Sequence, residues 1–319
     1  MRTKITSIAT YLPEKVVTND DLSKSLDTSH EWIYTRTGIE SRHVSSDEEL
    51  TSTLAINATT KLMQQADVDP MSVDAIIVST TTGDTRFPSC ACKVQGAIGA
   101  YRAFAFDVNA ACAGFIYALA VADSMMKAMK LRKVLLIASE TITKFVDWTD
   151  RSTCVLFGDG AGAMLLEQTE DDNTGVIATK LYANGEEEKY NSILAHNGEQ
   201  NGNRGYITMA GRTVFKYAID YMAMSMNEIL AESGMTIDDI DWIIPHQANR
   251  RILESMCKMR DFPLEKVIIT TQEHANTSSA SIPLALKDAM DGGTVKSGNT
   301  LLFTALGAGL TWGSAIVRI

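Results

Sequence analysis

The chain has 319 residues, 45% apolar and 21% charged, which is enough for one large globular unit or two half-size ones. A formal net charge of −10 argues against nucleic acid as a partner, because a phosphate backbone would be repelled. The N-terminus, Met1-Arg2-Thr3-Lys4-Ile5-Thr6, runs straight into a strand-like alternation without an apolar leader. No apolar run approaches the roughly 20 residues of a membrane span, so a cytoplasmic protein away from the membrane is expected.

In chain order, helical periodicity covers residues 55–65, and a short β-branched run at 75–79 reads as a strand covered on both faces. A strand at 103–108 gives way through a tight turn to a helix over 113–130. Its first ten residues are almost all small or apolar, as a helix buried on every side requires. A buried strand follows at 134–138. The acidic stretch 167–173 is the nearest thing to a boundary, and 184–204 is rich in Asn, Gly and Glu, as a loop would be. Beyond it come a helix at 215–231, a strand at 242–245, an apolar helix at 281–290 and a strand at 301–305.

These elements repeat at an offset of 167 residues. Val73-Asp74-Ala75-Ile76-Ile77-Val78 aligns with Ile240-Asp241-Trp242-Ile243-Ile244-Pro245, and Asn109-Ala110-Ala111-Cys112-Ala113 with Asn276-Thr277-Ser278-Ser279-Ala280. Lys133-Val134-Leu135-Leu136-Ile137-Ala138 aligns with Thr300-Leu301-Leu302-Phe303-Thr304-Ala305. Three ungapped matches in one register point to a duplicated α/β half, 1–170 and 171–319, packed sheet to sheet around the two equivalent helices.

The five cysteines are odd in number and scattered, so they read as thiols rather than a disulfide framework. Cys90 and Cys92 lack a matching Cys/His pair, and no metal site is expected. Cys112 differs from the rest. It stands where a strand gives way to a buried helix, among small residues, with the free N–H groups and positive dipole end of that helix before it, which should lower its pKa. A buried structural cysteine is the competing reading. The second half offers partners at corresponding strand ends: His246 directly after a buried strand, and Asn276 at the turn equivalent to that of Asn109. Singly, a capped histidine and an N-cap asparagine would explain these two. The repeat places all three turns around one pseudo-twofold axis, where they can converge.

Six segments in order, Trp32-Ile33-Tyr34-Thr35-Arg36-Thr37-Gly38-Ile39, Asn109-Ala110-Ala111-Cys112-Ala113-Gly114-Phe115, Phe157-Gly158-Asp159-Gly160-Ala161-Gly162-Ala163, Pro245-His246-Gln247-Ala248-Asn249, Asn276-Thr277-Ser278-Ser279-Ala280-Ser281-Ile282-Pro283 and Trp312-Gly313-Ser314-Ala315, resemble the motif series of β-ketoacyl-acyl-carrier-protein synthase III. The resemblance runs from end to end. It implies a thiolase-like α/β fold in α-β-α-β-α layers, a homodimer, and the initiating condensation of fatty-acid synthesis. In that reaction an acyl-CoA, acetyl-CoA first among them, acylates Cys112, and malonyl-acyl-carrier protein attacks with loss of CO2. His246 and Asn276 would donate hydrogen bonds to the enolate, the other imidazole nitrogen being held by the backbone. The oxyanion donors would be the amides of Cys112 and Ala308. No metal or cofactor is implied.

The resemblance further assigns Trp32, Arg36, Arg151 and Asn249 to CoA and Arg251 to the acidic carrier protein, and Lys258 on the same helix and Lys216 on the preceding one would complete a local basic patch for that partner. Arg250 and Arg260 lie on the same basic helix, where Glu254 can pair at i,i±4. Phe87 would close the acyl pocket across the dimer and favour short primers. Two positions depart from the family pattern: Ala275 and Ala308 stand where glycine is common, and Ala308 would be strained at positive φ. An acyl-CoA thioesterase, or a condensing enzyme using another starter, also fits these residues. A ketothiolase does not, because the turn Leu306-Gly307-Ala308-Gly309 has no second cysteine. Gly158-Asp159-Gly160-Ala161-Gly162 lacks nucleotide-loop spacing and reads as close backbone packing. The methionines 222, 224 and 226 read as gap-fillers on a helix.

Overall fold

Runs of β-branched residues between glycine- and proline-marked turns fold here as two large sheets separated by helices, in a computed structural model that describes residues 1–195 and 205–319. Two small two-stranded sheets lie beside them, Val16–Thr18 with Ser41–His43 and Ile193–Leu194 with Thr208–Met209. The chain opens with β1 (Arg2–Tyr11), β2 (Val16–Thr18), α1 (Asn19–Ser23), α2 (His30–Thr37) and β3 (Ser41–His43). It continues through α3 (Thr51–Gln65), β4 (Ala75–Ser79), α4 (Cys90–Ile98), β5 (Phe104–Val108), α5 (Gly114–Met129), β6 (Lys133–Glu140) and β7 (Gly160–Thr169). Then come β8 (Gly175–Ala183), α6 (Glu187–Tyr190), β9 (Ile193–Leu194), β10 (Thr208–Met209), α7 (Gly211–Ser233) and β11 (Trp242–Pro245). The last elements are α8 (Arg250–Arg260), α9 (Thr271–His274), α10 (Ser281–Asp291), β12 (Thr300–Gly307) and β13 (Thr311–Arg318).

The first sheet has the order β1-β7-β6-β4-β5 and the second β8-β13-β12-β11. In each, the edge and second strands pair antiparallel, as do the second and third, while the third and fourth run parallel. The duplication is therefore visible in topology as well as in sequence. It is incomplete at one edge: the counterpart of β5 is the short helix α9, and a single parallel bridge, Ile243 to Val267, occupies that side of β11. The polar run Thr270-Thr271-Gln272-Glu273-His274 has no apolar alternation with which to extend the sheet.

Strand alternation sends side chains to two faces, and the core divides accordingly. Ile76, Val78, Leu135 and Ile137 pack under α3 and α4, whereas Ile77, Leu136 and Ala138 face α5 and α10. Phe303, Ala305 and Val317 of the second sheet meet those two helices from the other side, and Leu302 and Ile316 pack under α7 and α8. The layers are thus α-β-α-β-α, with α5 and α10 in the middle. The stretch Ala111–Met129 is long and apolar enough to cross a membrane by length and composition, contrary to the expectation that no segment comes close. Its position between two sheets explains that composition. Of the loop expected over 184–204, residues 187–190 form a helical turn and 193–194 a short strand, while 196–204 lie outside the described residues.

Candidate active site

Cys112 sits in a 3-10 turn, residues 111–113, that feeds α5. The turn is sharp because Ala111 takes φ +46°, with its N–H bound to Asn109 Oδ1 at 3.2 Å. The second half repeats the device in register. Ser278 takes φ +50° and its N–H meets Asn276 Oδ1 at 2.9 Å, leaving the Asn276 amide nitrogen to donate elsewhere. Gly307, at the end of β12, lies against the nucleophile turn so closely that a Cβ there would stand 2.7 Å from Cys112 N. Thr311 Oγ1 joins the two turns, donating to Ala110 O at 2.8 Å and to Ala308 O at 3.2 Å. Ala308 escapes positive φ, since Gly309 carries the unusual value of +128°; the strain falls at Ala275, at φ +55° and ψ −154°.

The expected lowering of the Cys112 pKa is not what the enclosed site produces. A small probe reaches the residue through the cavities it lines, but protein atoms surround the sulfur. Burial pushes the thiol up to about 11, with the Ser278 hydroxyl acting in the opposite sense and the Glu140 carboxylate adding to the rise. The helix end favours the thiolate, and the desolvation that accompanies burial acts against it and is the larger effect.

His246 follows β11, its backbone N–H bonded to Thr304 O at 2.8 Å. Burial lowers its pKa to about 4, so the imidazole is neutral at pH 7. Its Nδ1 lies 2.7 Å from Ser281 Oγ, a side chain at the start of α10, and this corrects the expectation of a backbone partner. Asn276 is clamped by the other half of the chain: its N–H reaches Leu156 O at 2.9 Å and its C=O accepts from Gly158 N–H at 3.1 Å. Gly158 permits this approach, since a Cβ there would stand 2.6 Å from His274 O. The glycine motif is close packing, as its spacing suggested.

Cys112, His246 and Asn276 line one channel of about 790 Å³, together with Trp32, Arg36, Arg151, Asn249 and Arg251. The Arg36 and Arg151 guanidinium carbons lie 4.4 and 5.1 Å from the Trp32 ring centre, and Arg151 also pairs with Asp27 at 3.0 Å. Asn249 caps α8 through Arg251 N–H, at 2.8 Å, and its amide donates to Arg36 O. A second cavity of about 460 Å³ opens beside Cys112 and is bounded by Ala308, Phe157, Leu194 and Ile207. Arg251, Lys216 and Lys258 are exposed, and Arg250 pairs with Glu254 at 2.7 Å; the Arg260 side chain lies outside the described residues. Phe87 lines neither cavity within this chain and is 85% exposed.

Residues 106–185 match the model of 3-oxoacyl-acyl-carrier-protein (ACP) synthase III, and residues 230–319 that of its C-terminal part. A β-ketoacyl-acyl-carrier-protein synthase III of Xanthomonas campestris pv. campestris is 48% identical over 319 residues, spanning 99% of this chain and 98% of its own. The chain belongs to the β-ketoacyl-acyl-carrier-protein synthase III family. It is a condensing acyltransferase of fatty-acid biosynthesis with a thiolase-like fold. A family member of Wolbachia pipientis wMel is 49% identical, with 98% of each chain covered. The crystal structure of the Aquifex aeolicus VF5 member superposes with a TM-score of 0.94 at 44% identity, over 99% of this chain and 100% of its own.

Several residues of this family site escaped the sequence reading. Arg212 and Phe215 line the channel from the first two turns of α7, the same stretch that carries Lys216. Met222, read as a gap-filler, is buried in the core and also borders the channel. Glu140 ends the apolar strand β6 with a charge, a signal present in the sequence and unused.

Proposed function

We propose that the chain condenses a short acyl-CoA, acetyl-CoA above all, with malonyl-acyl-carrier protein, giving β-ketoacyl-acyl-carrier protein, CoA and CO2. One observation carries this reading: a thiol, a neutral imidazole and a fixed carboxamide line a single channel together with the half-buried Trp32 and the exposed Arg36, Arg151 and Arg251. The Cys112 sulfur attacks the thioester carbonyl, the oxyanion is met by the backbone N–H groups of Cys112 and Ala308, and CoA departs as the acyl group moves to sulfur. Malonyl-carrier then enters. Loss of CO2 leaves its electron pair on the thioester as an enolate, whose oxygen accepts from His246 and Asn276. The enolate carbon attacks the acyl-Cys112 carbonyl and regenerates the sulfur. His246 suits this task because a neutral ring can donate without carrying charge into a dry site, and Asn276 because a carboxamide does not titrate. Thioester exchange and decarboxylation of this kind need no metal or cofactor.

CoA would stack its adenine at Trp32 and set its phosphates against Arg36 and Arg151, with Asn249 along the pantetheine arm. A planar guanidinium suits both stacking and phosphate pairing. Arg251, Lys216 and Lys258 would receive the acidic carrier, offsetting locally the repulsion expected from a chain of net charge −10. A homodimer is supported by β5, an edge strand that among the described residues pairs with β4 alone, and by the exposed Phe87 ring, which in a pair would close the acyl pocket of its partner. Cysteines without disulfides fit the reducing cytoplasm, and the halves 1–170 and 171–319 fit descent from one duplicated unit.

The test is a mass measurement. Acetyl-CoA alone should add one acetyl group to Cys112 and none to Cys112→Ala. Malonyl-carrier protein should then discharge it as acetoacetyl-carrier with CO2. Release of free acetate at the same rate without malonyl-carrier would establish hydrolysis instead. Offering butyryl and branched acyl-CoAs reads the primer length from the same adduct.

A further inference from the structure

Asn276 neither titrates nor bonds covalently to substrate, so it acts wholly through where its carboxamide points. Its turn is tied at two places. At the residue itself stand the bonds to Leu156 O and from Gly158 N–H. Beyond it, Ser278 and Ser279 donate to the buried Glu140 carboxylate at 3.2 and 2.7 Å, and that carboxylate also accepts from Thr82 Oγ1 at 2.7 Å. The approach to Asn276, from α9, is the strained side. Ala275 has φ +55° and ψ −154°, a region that glycine visits freely and alanine does not. Such a conformation persists only where its surroundings hold it.

His274, the last residue of α9, is placed to do so. Its ring is buried, and Nε2 lies 2.6 Å from Oδ2 of Asp288 on α10. A carboxylate only accepts, so Nε2 donates. The His43 ring stands 6.3 Å away, but its Nδ1 is spent on Pro13 O at 2.6 Å, and His274 Nδ1 has no partner among the described residues. A leucine would fill this space without leaving a buried nitrogen unpaired, so packing is a poor account of the histidine. The bond joins residues 14 apart in the chain and fastens the end of α9 to the central helix, with Ala275 and Asn276 between. Both peptides at Ala275 are bonded as well: its own N–H reaches Thr271 O at 3.0 Å, and that of Asn276 reaches Leu156 O at 2.9 Å. The torsions of Ala275 can therefore relax only if one flank moves. Movement of the His274 flank would be passed on, because a Cβ at Gly158 would stand 2.6 Å from His274 O and 3.6 Å from Ala275 Cβ, and Gly158 N–H is what holds Asn276 O.

We propose that the hydrogen bond between His274 and Asp288 positions the Asn276 carboxamide, by holding the strained Ala275 approach against relaxation. Neither residue lines the channel, so both are positioning residues that act through the backbone of 275 and 276. This role rests on Asn276 donating to the enolate. The defect on breaking the bond should accordingly be confined to the second half-reaction, since acyl transfer to Cys112 does not use that donor.

Asp288→Ala tests the pair with little risk to folding, because the side chain is exposed and alanine suits a helix. Condensation with malonyl-carrier protein should fall by about tenfold in kcat with KM unchanged, as a misplaced transition-state donor requires. Single-turnover acetyl transfer from acetyl-CoA to Cys112 should be unchanged. His274→Leu, which fills the space of the ring, should show the same split. Adding Ala275→Gly to Asp288→Ala should restore most of the lost rate, because glycine needs no pin at this φ and ψ. Full condensation activity in Asp288→Ala, equal losses in both half-reactions, or a double variant no faster than Asp288→Ala overturns the proposal. A wild-type enzyme that takes no acetyl label on Cys112, or condensation that is indifferent to Asn276→Ala, would instead sink the reading of the site itself, a result distinct from an Asn276-dependent reaction that ignores Asp288.

Discussion

The Ser281 hydroxyl accepts from the Gln247 N–H at 3.2 Å and lies 2.7 Å from His246 Nδ1. Having accepted one bond, it has its own proton left to give, and Nδ1 takes it. That leaves the ring proton on Nε2, which has no protein partner among the described residues and belongs to a residue lining the channel. Ser281→Ala should free the tautomer, and condensation should fall by about tenfold while alkylation of Cys112 is unchanged. Nitrogen-15 shifts of the imidazole should show Nδ1 gaining protonation, and unaltered shifts would refute the assignment. Burial of this ring also leaves a stability signature. Its folded pKa near 4 lies below the 6.5 of a free imidazole, so between those values the unfolded chain binds a proton that the folded chain does not. This contribution is fully present above about pH 6.5 and is lost as pH falls toward 4, by at most ~3 kcal/mol. Urea denaturation of the wild type and of His246→Gln across that range should differ in slope, the variant being flatter; equal slopes would mean a solvated ring. His246 was legible because it follows a strand whose apolar run is unmistakable, Cys112 because it stands in the turn between such a strand and an apolar helix, and Asn276 through the offset of 167 residues that equates it with Asn109. Ser281 was not, because a serine opening a helix looks like any other until the ring beside it is seen.

At the scale of elements, the sequence offset of 167 residues carries through to first residues that coincide: β4 with β11, β6 with β12, α5 with α10, and even the positive φ of Ala111 with that of Ser278. Local pattern suffices there because both copies bury the same faces. It fails at α9, where one copy has exchanged a strand for polar residues, and at Glu140, whose donors come from segments far apart in the chain. The crossing of β12 with the nucleophile turn lies between these cases. Gly307 reads as one glycine in a glycine-rich turn, yet its hydrogen faces Cys112 N, with Ala110 O and Ala113 N each 2.8 Å from where a Cβ would stand. All three are backbone atoms and cannot swing aside. Gly307→Ala should therefore push β12 and the turn apart and misplace an oxyanion donor. Acyl transfer should drop by about 100-fold or more, the scale seen on deleting one such donor. The fold should survive with a loss of about 1–3 kcal/mol, the range for overpacking. Near-normal transfer in a folded variant would show that the Cys112 amide is not part of the hole.

For the whole molecule, the decisive layer is the one that belongs to neither half alone. Phe115, Ile116 and Leu119 of α5 share a core with Leu284 of α10, with strand residues of the first sheet and with Phe303 and Ala315 of the second, and the Phe115 and Phe303 rings meet edge to face at 5.9 Å. The backbone of Asn276, from the second half, is clamped by residues 156 and 158 of the first. Either half alone would leave one face of its sheet and most of one apolar helix in water, at a cost of about 25 cal/mol for each Å². A duplicated sequence thus does not mean two independent folding units, although composition alone allowed for them. The segment 1–170 produced on its own should be aggregated or molten, without cooperative unfolding, and co-expression with 171–319 should restore a soluble complex in which acetyl-CoA labels Cys112. The intact chain should unfold in one calorimetric transition. A segment 1–170 that melts cooperatively by itself would show that the central layer is a contact between finished domains, and the site would then owe its geometry to docking rather than to folding.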